Sequence, residues 1–135
     1  MALVAHSPAD VDLEVRMGQR CPVLSGLVAG EALLAGAPCY IAAADGKVYM
    51  SDGTADNEAA RFFGITPTDY LAGEPVSLYG PGARLRYAAS GLTVGPLFVA
   101  TTAGRFDTAA TTGGTAPVAV VLSATDIQVV AYDVA

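Results

Sequence analysis

The sequence has few of the side chains from which catalytic and nucleic-acid-binding sites are built. Its 135 residues include no tryptophan, one histidine (His6) and one lysine (Lys47), and only 15% are charged. A Ser-His-Asp or Cys-His arrangement would have to use His6, so we expect a protein that is not an enzyme. The net charge of −6 leaves no basic stripe for phosphates, so we expect no nucleic-acid partner.

The sequence also lacks the pattern of a membrane-spanning helix and that of a signal peptide. The uncharged stretch over residues 87–104 is interrupted by Gly95 and Pro96 as well as by polar residues. The N-terminus carries Asp10 and Asp12, where a signal peptide has a basic region followed by a long apolar one. We therefore expect no membrane contact and synthesis in the cytoplasm.

What the chain does have is a series of short apolar bursts separated by Gly, Pro, Asp-Gly and Thr-rich breaks. This spacing predicts an all-β chain of ten strands with at most one short helix, over 56–61. The predicted strands are Val11–Arg16, Pro38–Ala42, Lys47–Met50, Phe62–Thr66, Pro75–Tyr79, Ala83–Ala88, Pro96–Ala100, Arg105–Thr108, Val118–Leu122 and Ile127–Tyr132.

Two stretches, 38–51 (PCYIAAADGKVYMS) and 96–109 (PLFVATTAGRFDTA), align without a gap, and we call them the twin motifs. A Gly-Leu-x-x-Gly leader precedes each, and the strand at Phe62 aligns with the one at Val118. The alignment predicts two half-repeats, about 22–82 and 83–135, within one domain over 21–135. Neither half can bury its own apolar face, so we expect the halves to form a small barrel or sandwich.

Residues 1–20 lie outside the repeat and are predicted to form an extended N-terminal arm. Val11, Leu13 and Val15 alternate with charged residues, so they would line one face of a strand. Two alternatives stay open: the arm adds a strand to its own domain, or it reaches a neighbouring subunit. Under the second alternative, removal of residues 1–18 would leave a folded domain.

Arg84 and Arg86 lie two residues apart, which places both guanidinium groups on one face of a strand. An ordinary solvated face is one interpretation. The other is a docking surface for an acidic partner, because the planar fork of arginine makes paired hydrogen bonds.

The remaining polar candidates favour structural roles. Cys21 and Cys39 allow a disulfide, but the cytosolic setting and the match of Cys39 to Leu97 favour a buried thiol. Lys47 stands at a turn in the context Gly-Lys-Val, which differs from the lysine of biotinyl or lipoyl carriers. An acidic loop lacks the spacing of an EF-hand calcium site, so we expect no metal and no cofactor; its oxygen-bearing side chains are Asp52, Asp56, Asn57 and Glu58.

Several motifs resemble those of the small capsid decoration, or cement, proteins of tailed bacteriophages. They are a Gly-x-Pro before a strand (GAPCYI and GEPVSLY), an ADG turn, a Gly-Ile strand after a short loop, and LTVGPLFVATTAGRF. The likeness covers most of residues 20–132. It implies an all-β structural protein without catalytic residues.

The resemblance further implies binding to the major capsid protein on the outer surface of an assembled phage head, in the virion. Such proteins clamp neighbouring capsid subunits, usually as homotrimers. The alternative is an all-β carbohydrate-binding or adhesin module. The lack of tryptophan weakens it, although four tyrosines could replace the missing sugar-stacking side chain: Tyr70, Tyr79, Tyr87 and Tyr132.

Overall fold

The computed structural model describes residues 3–13 and 23–134, and their regular structure is almost entirely β. Two single 3₁₀ turns, Pro8–Asp10 and Glu58–Ala60, are the helical elements of these ranges, which contain no helix able to cross a membrane. The strands are β1 Asp12–Leu13, β2 Val23–Val28, β3 Pro38–Ile41, β4 Val48–Met50, β5 Gly64–Ile65, β6 Pro75–Tyr79, β7 Arg84–Arg86, β8 Gly95–Val99, β9 Phe106–Asp107, β10 Ala119–Val121 and β11 Asp126–Val129.

The predicted all-β class is confirmed, and each of the ten predicted strands overlaps an observed one. The expected short helix is a single turn, because Arg61 N–H already bonds back to the carbonyl oxygen of Glu58 and the chain then becomes extended. Strand β2 was not predicted. Its alternation is interrupted at Gly26, which has a φ of 75° and lies in a β-bulge between Leu24 and Leu27.

The two halves of the chain have the same strand order. One sheet is ordered β2-β6-β5-β3-β4, and the other is ordered β1-β7-β11-β10-β8-β9. Numbered along the chain within each half, both sets of five strands follow the order 1-5-4-2-3, with β1 added at the edge of the second sheet. The half-repeats inferred from the sequence therefore correspond to two similar halves of the structure.

The twin motifs form equivalent hairpins in the same register. In the first half, Tyr40 of β3 lies opposite Tyr49 of β4. At the equivalent positions of the second half, Phe98 of β8 lies opposite Asp107 of β9. The gapless alignment is thus reproduced in the pairing of the strands.

Beyond the hairpins, the alignment of the halves needs correction. It matched Phe62 with Val118, but Phe63 is the equivalent of Val118. The amide of Phe63 donates to the carbonyl oxygen of Cys39, and the amide of Val118 donates to that of Leu97. The two leaders are not equivalent either, since one lies at the end of β2 and the other leads into β8. Loops of unequal length shift the register in ways that an ungapped comparison misses.

Residues 3–13 form a strap across the second half. At one end, Leu3 bridges Asp107, and the amide of Val4 donates to the carbonyl oxygen of Phe106 at 3.1 Å. At the other end, β1 pairs with β7 in antiparallel register. Of the two alternatives for the arm, the described residues therefore follow the first: they pair within their own domain.

The strap lies beside β9, and in the first half a different segment lies at the equivalent position beside β4. There, the chain that follows β2 turns back to β4, and the amide of Gly30 donates to the carbonyl oxygen of Val48 at 2.8 Å. Val48 and Phe106 are equivalent in the twin motifs, so Val4 takes the position of Gly30. The second half thus receives from the N-terminal strap the backbone hydrogen bond that the first half obtains from the segment after its own β2.

The apolar core extends from one half into the other. Phe62 and Ile65 of the first half pack in one cluster with the buried side chains of the second half. A second cluster lies within the first half, around Cys39 and Leu78. This arrangement makes a small sandwich of two similar halves. Cys39 is a fully buried free thiol, as favoured from the sequence, while Cys21 lies outside the described residues.

Candidate interaction surfaces

His6 has a structural environment. Its ring stacks on Tyr87 with centroids 4.7 Å apart, and Nε2 lies 2.8 Å from the carbonyl oxygen of Ala35. Burial of the ring lowers the pKa of His6, and the guanidinium of Arg105 adds to this effect, while the bond to Ala35 and the charge of Asp69 oppose it. These contacts hold the strap against both halves, since Ala35 belongs to the first half and Tyr87 to the second.

The acidic loop uses its oxygens for local capping. Asp52 accepts hydrogen bonds from the amide and hydroxyl of Thr54, and Asn57 accepts one from the amide of Ala59. Asp56 forms an ion pair with Arg61 at 3.2 Å. Across residues 3–13 and 23–134, no group of three or more metal-ligating side chains converges.

The arginines of β7 lie on a face whose charges are largely balanced. Arg84 holds Asp126 through Nε and a terminal nitrogen, both 2.9 Å from Oδ2. Arg86 lies between Asp12 and Asp126 in the strand register. Its terminal nitrogen contacts the carbonyl oxygen of Asp10 at 3.5 Å. An acidic partner at this face would compete with aspartates already in place.

The three residues of the predicted arm strand are only partly described. Val11 is half-buried and packs against the core cluster of the second half. Leu13 belongs to β1, opposite Leu85. Val15 lies outside the described residues. β1 is the edge strand of its sheet and is paired with β7 on one side.

The second half carries an uncharged groove of about 270 Å³ beside the strap. Its lining includes Leu3, Leu92 and Val121 and contains no charged side chain. Two residues next to the lining in the chain, Val94 and Leu122, are 69% and 38% exposed. On an acidic protein, this is a region where apolar contact area is available.

A second surface lies on the outer side of the β3–β4 hairpin. Tyr40 and Tyr49 stack across the strands with ring centroids 5.9 Å apart and an angle of 29° between the rings. Their neighbours Cys39 and Val48 are fully buried, so the tyrosines lie on the opposite, partly exposed side. We call this surface the tyrosine face and include in it the nearby carboxylates of Glu31, Asp45 and Glu58.

Several contacts hold Tyr49 in place. Its hydroxyl donates to Asp45 Oδ2 at 2.7 Å, and its ring lies against Gly30, where a Cβ atom would collide with it. The hydrogen bond to Asp45 raises the pKa of Tyr49. The pKa of Asp45 is lowered by the backbone amide of Lys47 and then by Tyr49. The aromatic ring is thus pre-positioned by the hairpin turn.

Two glutamates add negative charge beside the rings. Glu31 Oε2 accepts a hydrogen bond from the amide of Met50 at 2.9 Å, and Glu58 Oε2 accepts one from Ala43 at 3.1 Å. Burial raises the pKa of Tyr40 above its usual value, and the charges of Glu58, Glu31 and Asp45 raise it further. The carboxylates therefore lie close enough to act on the ring.

Sequence reasoning did not single out the tyrosine face. The turn signal alone would not pair them, because a two-residue turn at Asp45-Gly46 would place Tyr49 opposite Ala42, whereas the observed register places it opposite Tyr40. The four tyrosines named from the sequence make no ring contact with one another among the described residues. Of these four, Tyr87 is fully buried.

The chain matches no protein-family model, and no curated protein is significantly similar to it. Fold and surface chemistry are thus the basis for a functional proposal. The protein is all-β, with two similar halves, the uncharged groove on the second half and the tyrosine face on the first.

Proposed function

We propose that the chain is a structural capsid decoration protein of a tailed bacteriophage. In this role it binds the outer surface of an assembled head and clamps neighbouring major capsid subunits as a homotrimer. The proposal extends the sequence resemblance. The motifs that carry the resemblance lie in the strands and turns of the repeat: GAPCYI leads into β3, GEPVSLY into β6, and LTVGPLFVATTAGRF covers β8 and ends at the first residue of β9.

The single observation that carries the proposal is the separation of two adhesive surfaces. The uncharged groove lies in the second half, and the tyrosine face lies on the β3–β4 hairpin of the first. A clamp needs two contacts, one for each of the subunits that it joins. Apolar area and aromatic side chains can supply the binding energy of such contacts without any catalytic group.

The negative net charge of the protein is compatible with this role. A net charge of −6 on a 13.6 kDa chain keeps a densely covered particle soluble and repels nucleic acid. Each copy needs only modest affinity for the shell. In a trimer, binding of two subunits raises the effective concentration of the third.

The test is decoration of heads assembled from the major capsid protein of the genome that encodes this chain. Purified protein should co-sediment with expanded heads, reach a fixed ratio to the capsid protein, and raise the temperature at which the heads break open. Leu122→Asp and Val94→Asp, which place charge beside the groove, should weaken binding, while Thr112→Asp on an exposed loop should not. Absence of saturable binding by the parent protein would contradict the proposal.

A carbohydrate-binding module is the second candidate, and the stacked pair Tyr40 and Tyr49 is the observation that favours it. Paired aromatic rings with neighbouring carboxylates can hold a sugar ring by stacking and hydrogen bonds. A glycan-binding screen run beside the head-binding assay separates the two functions. Selective binding of one glycan together with no binding to heads would support this candidate.

A further inference from the structure

The tyrosine face is absent from the other half, although the halves have the same fold. Phe98 and Asp107 occupy the positions of Tyr40 and Tyr49. Asp107 is buried, so the second half has no stacked aromatic pair at its surface. Because an equivalent hairpin forms without this pair, the fold does not require the two tyrosines.

The charge of the face is unbalanced. In the described part of the chain, none of Glu31, Asp45 and Glu58 forms an ion pair with a lysine or arginine. Lys47 is the one cation in the hairpin, and its charge acts on Asp45. Three carboxylates against one ammonium group leave a negative potential beside the rings.

Such a combination is complementary to a cationic side chain. The face of a tyrosine ring attracts a guanidinium or ammonium group, and nearby carboxylates strengthen the attraction. Arginine fits best, because its planar group stacks on a ring while its N–H groups reach carboxylate oxygens. The hydrogen bond of Tyr49 and its contact with Gly30 restrict the ring beforehand, so less side-chain entropy is lost on binding.

We propose that the tyrosine face is a docking site for an arginine-bearing segment of a partner protein. Under the proposed function, on which this identification of the partner rests, the segment belongs to the capsid subunit beneath the first half. The guanidinium group stacks on Tyr40 and Tyr49, and Glu31 and Glu58 accept its hydrogen bonds.

A neutral carbohydrate is the competing occupant of the same face. A neutral sugar would stack on the two rings, but it would not need three carboxylates. Its affinity would change little with salt. An arginine segment binds through opposite charges at an exposed surface, so its affinity must fall as salt screens the attraction. Salt dependence therefore distinguishes the two occupants.

The first experiment titrates the isotope-labelled full chain with a tetra-arginine peptide, followed by NMR of the backbone amides. We expect saturable shifts concentrated in residues 38–51 and a marked loss of affinity between about 50 mM and about 500 mM salt. A tetra-glutamate peptide should cause no shifts there. Shifts spread evenly over the acidic surface, or tighter binding of a neutral hexasaccharide at the same amides, would overturn the proposal.

Two double variants measure the contributions of the rings and of the carboxylates to binding separately, and both keep the hairpin. Tyr40→Thr with Tyr49→Thr retains strand-forming residues, and Glu31→Gln with Glu58→Gln retains the acceptors for Met50 and Ala43. Each pair should weaken the peptide about tenfold. The matched control is Phe98→Thr, the counterpart of Tyr40 in the second half, and it should bind as the parent does. Unchanged affinity in both double variants would overturn the proposal.

The head-binding assay distinguishes failure of this inference from failure of the proposed function. If the parent decorates heads and the tyrosine variant decorates them equally well, the face is not the docking site although decoration stands. If the parent decorates no heads, decoration fails, and the peptide titration alone decides whether the face binds arginine. Weakened decoration by both double variants, with Phe98→Thr unaffected, would support the two proposals together.

Discussion

At the scale of single residues, His6 shows how a lone histidine can be structural. The ring places Nε2 2.8 Å from the carbonyl oxygen of Ala35 and stacks on Tyr87, whose phenol is also buried. Burial disfavours the charged ring and lowers the pKa of His6, and the guanidinium of Arg105 adds to this effect, so a further positive charge in this region would be poorly compensated. Neutral histidine is therefore the form that the fold accommodates.

We predict that folding stability falls as the pH decreases through the ordinary pKa of histidine. The folded-state pKa of His6 is lowered, chiefly by burial, so the unfolded chain binds a proton first. This contribution is complete above about pH 6.5 and decreases below it. Urea unfolding at a series of pH values measures the effect, and His6→Gln should remove that part of the pH dependence. An unchanged profile in the variant would assign the dependence to carboxylates.

At the scale of elements, the strap differs from the removable arm that the sequence allowed. Val4 is 6% exposed and belongs to the core cluster of the second half, and the strap covers the edges of both β7 and β9. Gly36 lies beneath it with a φ of 71°. A Cβ atom there would meet Val11 and the ring of His6. The strap is thus packed as closely as an internal strand.

We predict that deletion of residues 1–13 destabilises the domain. The deletion uncovers two strand edges and the apolar surface under Val4, which should lower the thermal midpoint by about 10 °C or more. Ser7→Ala is the control, because Ser7 is exposed and makes no side-chain capping bond. Differential scanning calorimetry measures both. A truncated chain that melts with the parent would show that the strap contributes little to stability.

At the scale of the whole molecule, the halves are joined by backbone contacts as well as by side chains. The amide of Gly53 donates to the carbonyl oxygen of Ala100 at 2.7 Å, and the amide of Gly113 donates to that of Gly53 at 2.9 Å. Phe62 and Asp133 exchange hydrogen bonds in both directions. Glycine is needed at this junction because a Cβ atom at Gly113 would meet Ala55 and Ala60.

We predict that Gly113→Ala weakens the junction and costs about 1–3 kcal/mol of unfolding free energy through overpacking. Its φ is not positive, so backbone strain does not contribute to the loss. Thr112→Ala, at the exposed neighbouring position, should change the free energy by less than about 0.5 kcal/mol. Urea unfolding followed by tyrosine fluorescence measures both variants. Equal stability of the two would show that the junction can relax around a methyl group.

The sequence by itself determined the strands that belong to short hairpins. Asp45-Gly46 and the matching Gly104 mark the turns, with φ values of 70° and 74° at the glycines, and a marked turn shows which two strands form a hairpin. The repeat and the all-β class followed from this local pattern. The pairing of Tyr40 with Tyr49 did not follow from the turn, because the loop between the strands is two residues longer than a two-residue Asp45-Gly46 turn.

Only the tertiary structure decided how distant segments meet. β2 is a strand because β6 pairs with it across a bulge, although its own sequence lacks alternation. The strap lies on its own domain because the second half has an open position beside β9 that the first half fills from β2. Arg84 is engaged because Asp126 comes to the neighbouring strand. These outcomes depend on packing between residues far apart in the chain, which local spacing does not encode.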